Sequence, residues 1–208
     1  MYGTLRTDER LRALREQAKG RRDPATEDDT LQLLLLVAQM RAPRRILEIG
    51  TAEGLTSVAL LLQCTDASLV TIEIEPDLHA RAEQNFALFG VRERAQALLG
   101  DAGELLPSLE GEFDLIFLDG PKAQYCRYLP HLKRLLSERG VLFADDVLLY
   151  GWVDGRAETP PKRRSIVERL RDYLRAAEND PALLTSVLPV GEGVALSVKT
   201  GREEGEER

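Results

Sequence analysis

Short apolar runs alternate along most of this chain with segments in which apolar residues recur at helical spacing. The apolar runs predict strands at Arg45–Ile49, Leu69–Ile74, Ala95–Leu99, Phe113–Leu118 and Val141–Ala144. The segments between them predict helices at Leu55–Cys64, Asp77–Phe89, Ala102–Leu109 and Lys122–Ser137. Because helices alternate with strands that are apolar on both faces, we predict a parallel sheet covered by helices.

The two ends of the chain complete this pattern. Towards the C-terminus, a helix is predicted at Pro161–Ala177, followed by strands at Leu184–Pro189 and Val194–Lys199. The link between these two strands is too short for a crossover, so they must form an antiparallel hairpin. Upstream, helices at Arg6–Lys19 and Glu27–Met40 are predicted to cap a site or to form a dimer surface.

Composition narrows the class of protein. The 208 residues carry a formal net charge of −7, so no global field attracts nucleic acid. No apolar run approaches the roughly 20 residues of a membrane helix, and Cys64 and Cys126 lack disulfide or zinc-site spacing. We predict a cytoplasmic protein with N-terminal helices over residues 1–41, one domain over 42–200 and a disordered acidic tail over 201–208.

The turn after the first strand is the most informative about a ligand. Gly50 and Gly54 bracket it, and glycines let the backbone approach a ligand beside the free N–H groups of a helix start. A dinucleotide site would place a further glycine where this chain has Ala52. Glu48, just before the turn, would repel a pyrophosphate but suits a cationic amine. The turn therefore predicts S-adenosylmethionine rather than NAD, with Gly50 and Gly54 in contact with it.

Acidic residues stand at five successive strand ends, the rim at which doubly wound sheets bind ligands. They are Glu48, Glu73, Asp101, Asp119 and the pair Asp145 and Asp146. Glu73 lies where an acid can accept hydrogen bonds from ribose hydroxyls. Taken singly, each has a structural alternative: Glu73 as a solvated acid, Asp101 as a helix N-cap, and Asp119-Gly120 as a turn.

Asp119, Asp145 and Asp146 also form a group of their own. Three neighbouring carboxylates repel one another unless a cation lies between them, and oxygen ligands suit a hard divalent ion such as Mg²⁺. Such an ion orients a bound hydroxyl and lowers its pKa. Lys122, one helical turn after Asp119, is either a general base with a depressed pKa or a solvated lysine.

Five motifs follow one another in order between Ile46 and Lys199: E-I-G-T-A-E-G-L-T, T-I-E-I-E-P, F-D-L-I-F-L-D-G-P-K, G-V-L-F-A-D-D-V-L and L-P-V-G-E-G-V-A-L-S-V-K. Together they resemble a known family, the catechol and caffeoyl-CoA type of metal-dependent class I O-methyltransferases. The resemblance implies an α/β, Rossmann-like methyltransferase fold: a central seven-stranded, mostly parallel sheet with a C-terminal antiparallel hairpin and helices on both faces.

The resemblance also implies roles for individual residues. For S-adenosylmethionine, Glu48, Gly50 and Thr56 would hold the methionine part, Glu73 the ribose, Ile74 the adenine face, and Asp101 with Ala102 the adenine edge. Asp119, Asp145 and Asp146 would bind the metal, Asp119 would also orient the sulfonium, and Lys122 would be the base. Two departures stand out: Asp146 replaces the usual Asn, and Gly120-Pro121 replaces bulkier or alanine-containing pairs.

These features predict a metal-dependent O-methyltransferase that methylates a hydroxyl beside a second oxygen. Both a phenolic catechol and 5-hydroxyuridine in tRNA meet that description. The motif D-D-V-L-L-Y-G-W-V and the basic helix from Lys162 resemble the bacterial branch that includes tRNA 5-hydroxyuridine methyltransferases. We expect a homodimer that does not contact membranes. The alternatives are an NAD-dependent oxidoreductase and a non-catalytic S-adenosylmethionine-binding module.

Overall fold

The computed structural model describes residues 8–18 and 26–201. Positions 6, 7 and 19 of the predicted first helix and positions 202–208 of the predicted tail lie outside the described residues. The chain divides into two compact units, Met1–Ala102 and Gly103–Arg208. Within residues 8–18 and 26–201, no helix is both long enough and apolar enough to cross a membrane.

The first unit holds two N-terminal helices and three strands joined by helices. Its elements are α1 (Glu9–Ala18), α2 (Asp28–Arg41), β1 (Arg45–Ile49), α3 (Leu55–Gln63), β2 (Ser68–Glu73), α4 (Pro76–Leu88) and β3 (Ala95–Leu99). The strands pair in parallel, β1 with β2 and β2 with β3. Pro76 begins α4. Proline suits this position because the N–H group that it lacks would have no hydrogen-bond partner in the first turn of a helix.

The second unit continues the alternation and then reverses direction. Its elements are α5 (Ala102–Leu105, which starts at the boundary), β4 (Phe113–Leu118), α6 (Tyr125–Leu135), β5 (Leu136–Ala144), α7 (Arg164–Glu178), β6 (Leu183–Leu188) and β7 (Val194–Lys199). β4 and β5 are parallel, whereas β7 pairs antiparallel with both β5 and β6. The predicted C-terminal hairpin is therefore confirmed.

The seven strands are ordered β3-β2-β1-β4-β5-β7-β6. Strands β1, β4 and β5 carry almost continuous runs of buried residues, as expected for a sheet with helices on both faces. The observed sheet confirms the predicted Rossmann-like α/β fold.

Two predicted helices end at least two residues earlier than expected. The helix predicted to reach Ser137 ends at Leu135, and β5 begins at Leu136, which pairs with Phe113. The register shifts before Leu115 pairs with Val141, and the hydroxyl of Ser137 donates to Asp114 at 3.0 Å in this irregular stretch. The helix predicted over Ala102–Leu109 gives way to a 3₁₀ turn containing Pro107, because proline removes a helical N–H donor.

Candidate functional site

Glu48 lies fully buried near the end of β1, with 0% of its surface exposed. Its Oε2 accepts a hydrogen bond from Thr71 Oγ1 at 2.6 Å and another from the hydroxyl of Ser57 in α3. Thr71 is the register partner of Glu48 in the β1–β2 pair. A buried carboxylate needs such donors, so these hydroxyls fix its orientation at the turn. The sequence analysis missed both hydroxyl residues, although Ser57 directly follows the predicted ligand Thr56.

The glycine turn combines three left-handed residues at alternate positions. The φ angles are 95° at Gly50, 46° at Ala52 and 73° at Gly54. A Cβ on Gly54 would lie 2.7 Å from Cε1 of Phe86 in α4, so close packing requires glycine there in addition to its φ. Ala52 carries backbone strain of the kind that concentrates at ligand sites. This geometry supports a binding role for the turn.

Glu73, at the end of β2, is 7% exposed and holds the turn from the other side. Its Oε2 accepts a hydrogen bond from the backbone N of Ala52 at 2.7 Å. Its Oε1 accepts from the backbone N of Ile74 and of Glu75, both at 2.9 Å. The alternative of a solvated acid is therefore wrong for Glu73. A carboxylate can accept about four hydrogen bonds, and Glu73 accepts three here. One acceptor position therefore remains for the predicted hydrogen bond from the ribose.

The remaining predicted cofactor residues differ in exposure. Thr56, in the first turn of α3, is buried, and its Oγ1 lies 3.1 Å from Oγ1 of Thr26, a residue that the sequence analysis missed. Ile74 is 57% exposed, which suits an apolar side chain predicted to lie against a flat base. Beyond β3, Asp101 is exposed and Ala102 is buried. Contact of these residues with the cofactor stays a prediction.

Replacement of Glu73 should test the cofactor site directly. Glu73→Ala is expected to weaken binding of S-adenosylhomocysteine by about 1–3 kcal/mol, because the ribose partner and the support of Ala52 are both lost. Calorimetry measures the affinity, and Glu75→Ala, whose residue is exposed, is the control. Unchanged affinity in folded Glu73→Ala would remove Glu73 from the site.

In the second unit, Lys122 joins two of the three predicted metal-binding carboxylates. Its Nζ donates to Asp119 Oδ1 at 2.7 Å and lies 3.1 Å from Asp146 Oδ2. Asp145 is 3% exposed, and its Oδ1 accepts a hydrogen bond from the backbone N of Asp146 at 2.8 Å. The lysine ammonium therefore balances part of the negative charge of these acids.

Burial and charge shift the pKa values of this cluster in a consistent way. Burial, and then the charges of Asp119 and Asp146, raise the pKa of Asp145 to about 8, against the smaller opposing effect of Lys122. Burial would lower the pKa of Lys122, but Asp119, Tyr125 and Asp146 outweigh it and raise that pKa well above its ordinary value. A general base needs the opposite shift, so a base role requires relief of this ion pairing.

The donor set has the chemistry of a hard-cation site, although its atoms are not arranged as one. Among residues 8–18 and 26–201, no three His, Cys, Asp or Glu side chains are placed to hold a metal ion. Three carboxylates and one ammonium nevertheless carry a formal excess of negative charge, and the charges of Asp119 and Asp146 add to burial in raising the pKa of Asp145. A divalent cation would balance that excess, so these residues fit the predicted metal chemically.

Tyr125 supports this cluster and was missed by the sequence analysis. Its buried hydroxyl donates to the carbonyl oxygen of Leu118 at 3.0 Å and lies 3.1 Å from that of Asp145. The backbone N of Asp145 also donates to Leu118 O at 2.9 Å. Tyr125 thereby ties the ends of β4 and β5 together. Its position, three residues after Lys122, is the only sequence signal for this role.

The seven-stranded sheet with its antiparallel C-terminal hairpin is the fold of a Rossmann-like methyltransferase. The family model for O-methyltransferases matches residues 6–200. The chain therefore belongs to the O-methyltransferase family, and it is an S-adenosylmethionine-dependent enzyme of the class I, caffeoyl-CoA O-methyltransferase-like kind.

Individual relatives agree with this assignment over nearly the whole chain. O-methyltransferase hkm8 of Aspergillus hancockii is 29% identical, over 93% of this chain and 90% of the relative. A proposed caffeoyl-CoA O-methyltransferase from Staphylococcus aureus has a TM-score of 0.85 and 29% identity, covering 92% and 93%. TomG from Streptomyces achromogenes, an O-methyltransferase of tomaymycin synthesis solved with S-adenosylmethionine, has a TM-score of 0.83 and 29% identity, covering 95% and 92%.

These similarities decide between the classes of function that the sequence left open. They support S-adenosylmethionine as the cofactor and an O-methyltransferase activity. They favour the predicted enzyme over an NAD-dependent oxidoreductase and over a non-catalytic binding module.

Proposed function

We propose that this enzyme methylates a hydroxyl that lies beside a second oxygen atom, and that it uses a divalent metal, Mg²⁺, to do so. The observation that carries the proposal is the cluster of Asp119, Lys122, Asp145 and Asp146 at the ends of β4 and β5. Asp119, Asp145 and Asp146 would hold the metal, which would supply Lewis-acid charge to a chelating acceptor.

The protein residues have distinct tasks in the proposed reaction. Glu48 and Glu73 fix the cofactor at the glycine turn. Once its pairing with the two carboxylates is relieved, Lys122 loses a proton to solvent, and the neutral amine then accepts the proton of the acceptor hydroxyl. The methyl group passes from sulfur to oxygen in one in-line displacement, so the rate comes mainly from positioning and charge placement.

The acceptor is proposed to be either a phenolic small molecule of the catechol type or 5-hydroxyuridine in tRNA. Labelled S-adenosylmethionine, incubated with a catechol panel and with total tRNA, each with and without Mg²⁺, tests both. Transfer to a catechol alone assigns the small-molecule class, and transfer to tRNA alone assigns the nucleic acid. No transfer to either would contradict the proposed acceptor class.

One surface feature favours tRNA as an acceptor. Lys162, Arg163 and Arg164 are exposed at the start of α7, and within the described part of the chain they form no ion pair. By contrast, Arg175 on the same helix pairs with Asp172 at 2.5 Å. Exposed cations without acidic partners are free to contact phosphates, which carry most of the sequence-independent affinity for nucleic acids.

Replacement of Lys162, Arg163 and Arg164 by alanine should therefore raise the KM for tRNA. It should also reduce the slope of affinity against salt concentration by about 2–3, since each phosphate contact contributes nearly one. Arg175→Ala, which removes an already paired cation, is the control, and turnover of a catechol should not change. Identical tRNA kinetics of the triple variant and wild type across a salt series would exclude these residues as a tRNA contact.

Two further properties are proposed on indirect grounds. Cys64 and Cys126 are free cysteines, which supports a cytoplasmic location because thiols persist in a reducing compartment. Leu36 and Met40 on α2 are 53% and 79% exposed, which supports the predicted homodimer through the N-terminal helices.

A further inference from the structure

Arg15 has the largest fully buried side chain among the described residues, although it carries a positive charge. It lies in the second half of α1 and is 1% exposed. Its Nη2 donates to the backbone carbonyl oxygen of Thr26 at 2.5 Å and to Asp28 Oδ1 at 3.0 Å. The guanidinium therefore joins α1 to the residues that lead into α2.

The hydrogen bonding of Arg15 is incomplete. Nε and Nη1 are buried, and neither has a hydrogen-bond partner within the described residues. Burial lowers the pKa of Arg15, and Asp28 only partly opposes the effect. Buried donors of a charged group that lack partners destabilise the folded state, and an apolar side chain of similar size would avoid that cost. Packing alone therefore does not account for an arginine here.

A short path of contacts leads from Arg15 to the glycine turn. The carbonyl that accepts from Arg15 belongs to Thr26, whose own hydroxyl lies 3.1 Å from the hydroxyl of Thr56. Both threonines are buried, and Thr56 lies in the first turn of α3. A shift of the Thr26 backbone would move its hydroxyl relative to Thr56, and Arg15 restrains that shift.

We propose that Arg15 is a positioning residue for the cofactor. By holding the carbonyl of Thr26, it keeps the Thr26 hydroxyl against Thr56 and shapes the start of α3 for the methionine part of S-adenosylmethionine. This inference rests on the proposed placement of the methionine part at the glycine turn. Arg15 acts on cofactor affinity and not on the chemical step, so its replacement changes KM for the cofactor and not kcat.

A matched control lies at the C-terminal end of α3. Arg94 donates to the carbonyl oxygens of Leu61, Cys64 and Ala67, at distances of 2.8–3.0 Å, around the C-terminal end of α3. It is likewise an arginine that binds backbone carbonyls, but it lies away from the turn. Arg94→Met should lower thermal stability and leave cofactor affinity unchanged.

Arg15→Met in the full-length protein should raise the Kd for S-adenosylhomocysteine about five- to tenfold, the equivalent of one lost hydrogen bond. The KM for S-adenosylmethionine should rise by the same factor, with kcat unchanged at saturating cofactor. Arg15→Lys should recover part of the affinity, because an ammonium can still donate to Thr26 O. In combination with Thr26→Val, the effect of Arg15→Met should be smaller than alone, because both act through one contact.

An unchanged Kd in folded Arg15→Met would overturn the inference. If that variant does not fold, Arg15→Lys and Thr26→Val test the inference instead. Wild-type affinity for S-adenosylhomocysteine in both variants would also overturn it. Thr56→Val separates the inference from its premise. Unchanged affinity in Thr56→Val shows that the methionine part does not bind at this turn, whereas a loss there without a loss in Arg15→Met refutes only the role of Arg15.

Discussion

Treatment with EDTA should lower the rate of methyl transfer by about a hundredfold or more, because a Lewis acid contributes several kcal/mol of charge stabilisation. The expectation follows from the three carboxylates of Asp119, Asp145 and Asp146, which offer oxygen ligands to a hard cation, while Lys122 pairs with only two of them. Binding of S-adenosylhomocysteine should be nearly unaffected, since the predicted methionine and ribose contacts lie in the first unit. Added Mg²⁺ or Mn²⁺ should restore the rate.

The structure provides an opposing hypothesis that the same experiment tests. Lys122 already pairs with Asp119 and Asp146, so its ammonium could itself be the cation that the reaction uses. In that case the metal-free enzyme would keep full activity and Lys122→Met would lose it, which would contradict the metal proposal. Asp146→Asn refines the result: it should lower metal affinity and keep activity at saturating metal. Superimposable metal titrations would exclude Asp146 as a ligand.

The order of strands and helices could be predicted because hydrophobic periodicity reports burial directly. The bounds of β1, β3 and β4 agree with the prediction to the residue. The error at the end of α6 has a physical origin, since Leu135 and Leu136 are both buried and continue the helical apolar pattern. The pairing of Leu136 with Phe113, which ends the helix, is a long-range contact that local periodicity does not encode.

The sequence predicted the positions of the acids at strand ends better than it predicted their surroundings. Glu73 and Asp145 lie at strand ends as expected, and both are buried. The direction of the Lys122 pKa was not predictable from spacing, because it depends on the distances to Asp119 and Asp146. Arg15 could not be singled out either, since an arginine in an N-terminal helix ordinarily faces solvent.

Gly193, in the turn of the β6–β7 hairpin, touches the segment that follows the acidic pair Asp145 and Asp146. Its carbonyl accepts from the backbone N of Val147 at 2.9 Å, and Glu192 O accepts from Leu148 N at 2.9 Å. A Cβ on Gly193 would lie 2.3 Å from Cγ and 2.5 Å from Cβ of Leu148. Rotating the Leu148 side chain does not move the Cβ atom of Leu148. The contact between that atom and the added Cβ can therefore be relieved only by a shift of the backbone.

Gly193→Ala should therefore destabilise the protein by about 2–5 kcal/mol, from overpacking and from the left-handed φ of +93°. Activity should fall by more than the fraction of unfolded protein explains, because the displaced segment begins one residue after Asp146. Gly155→Ala is the matched control: its φ is +79°, and no atom lies within 4 Å of the added Cβ. That variant carries backbone strain without the clash, and its free energy of unfolding should fall by about 1 kcal/mol. Denaturant unfolding measures both changes, and equal losses in the two variants would show that the contact with Leu148 yields without moving the backbone.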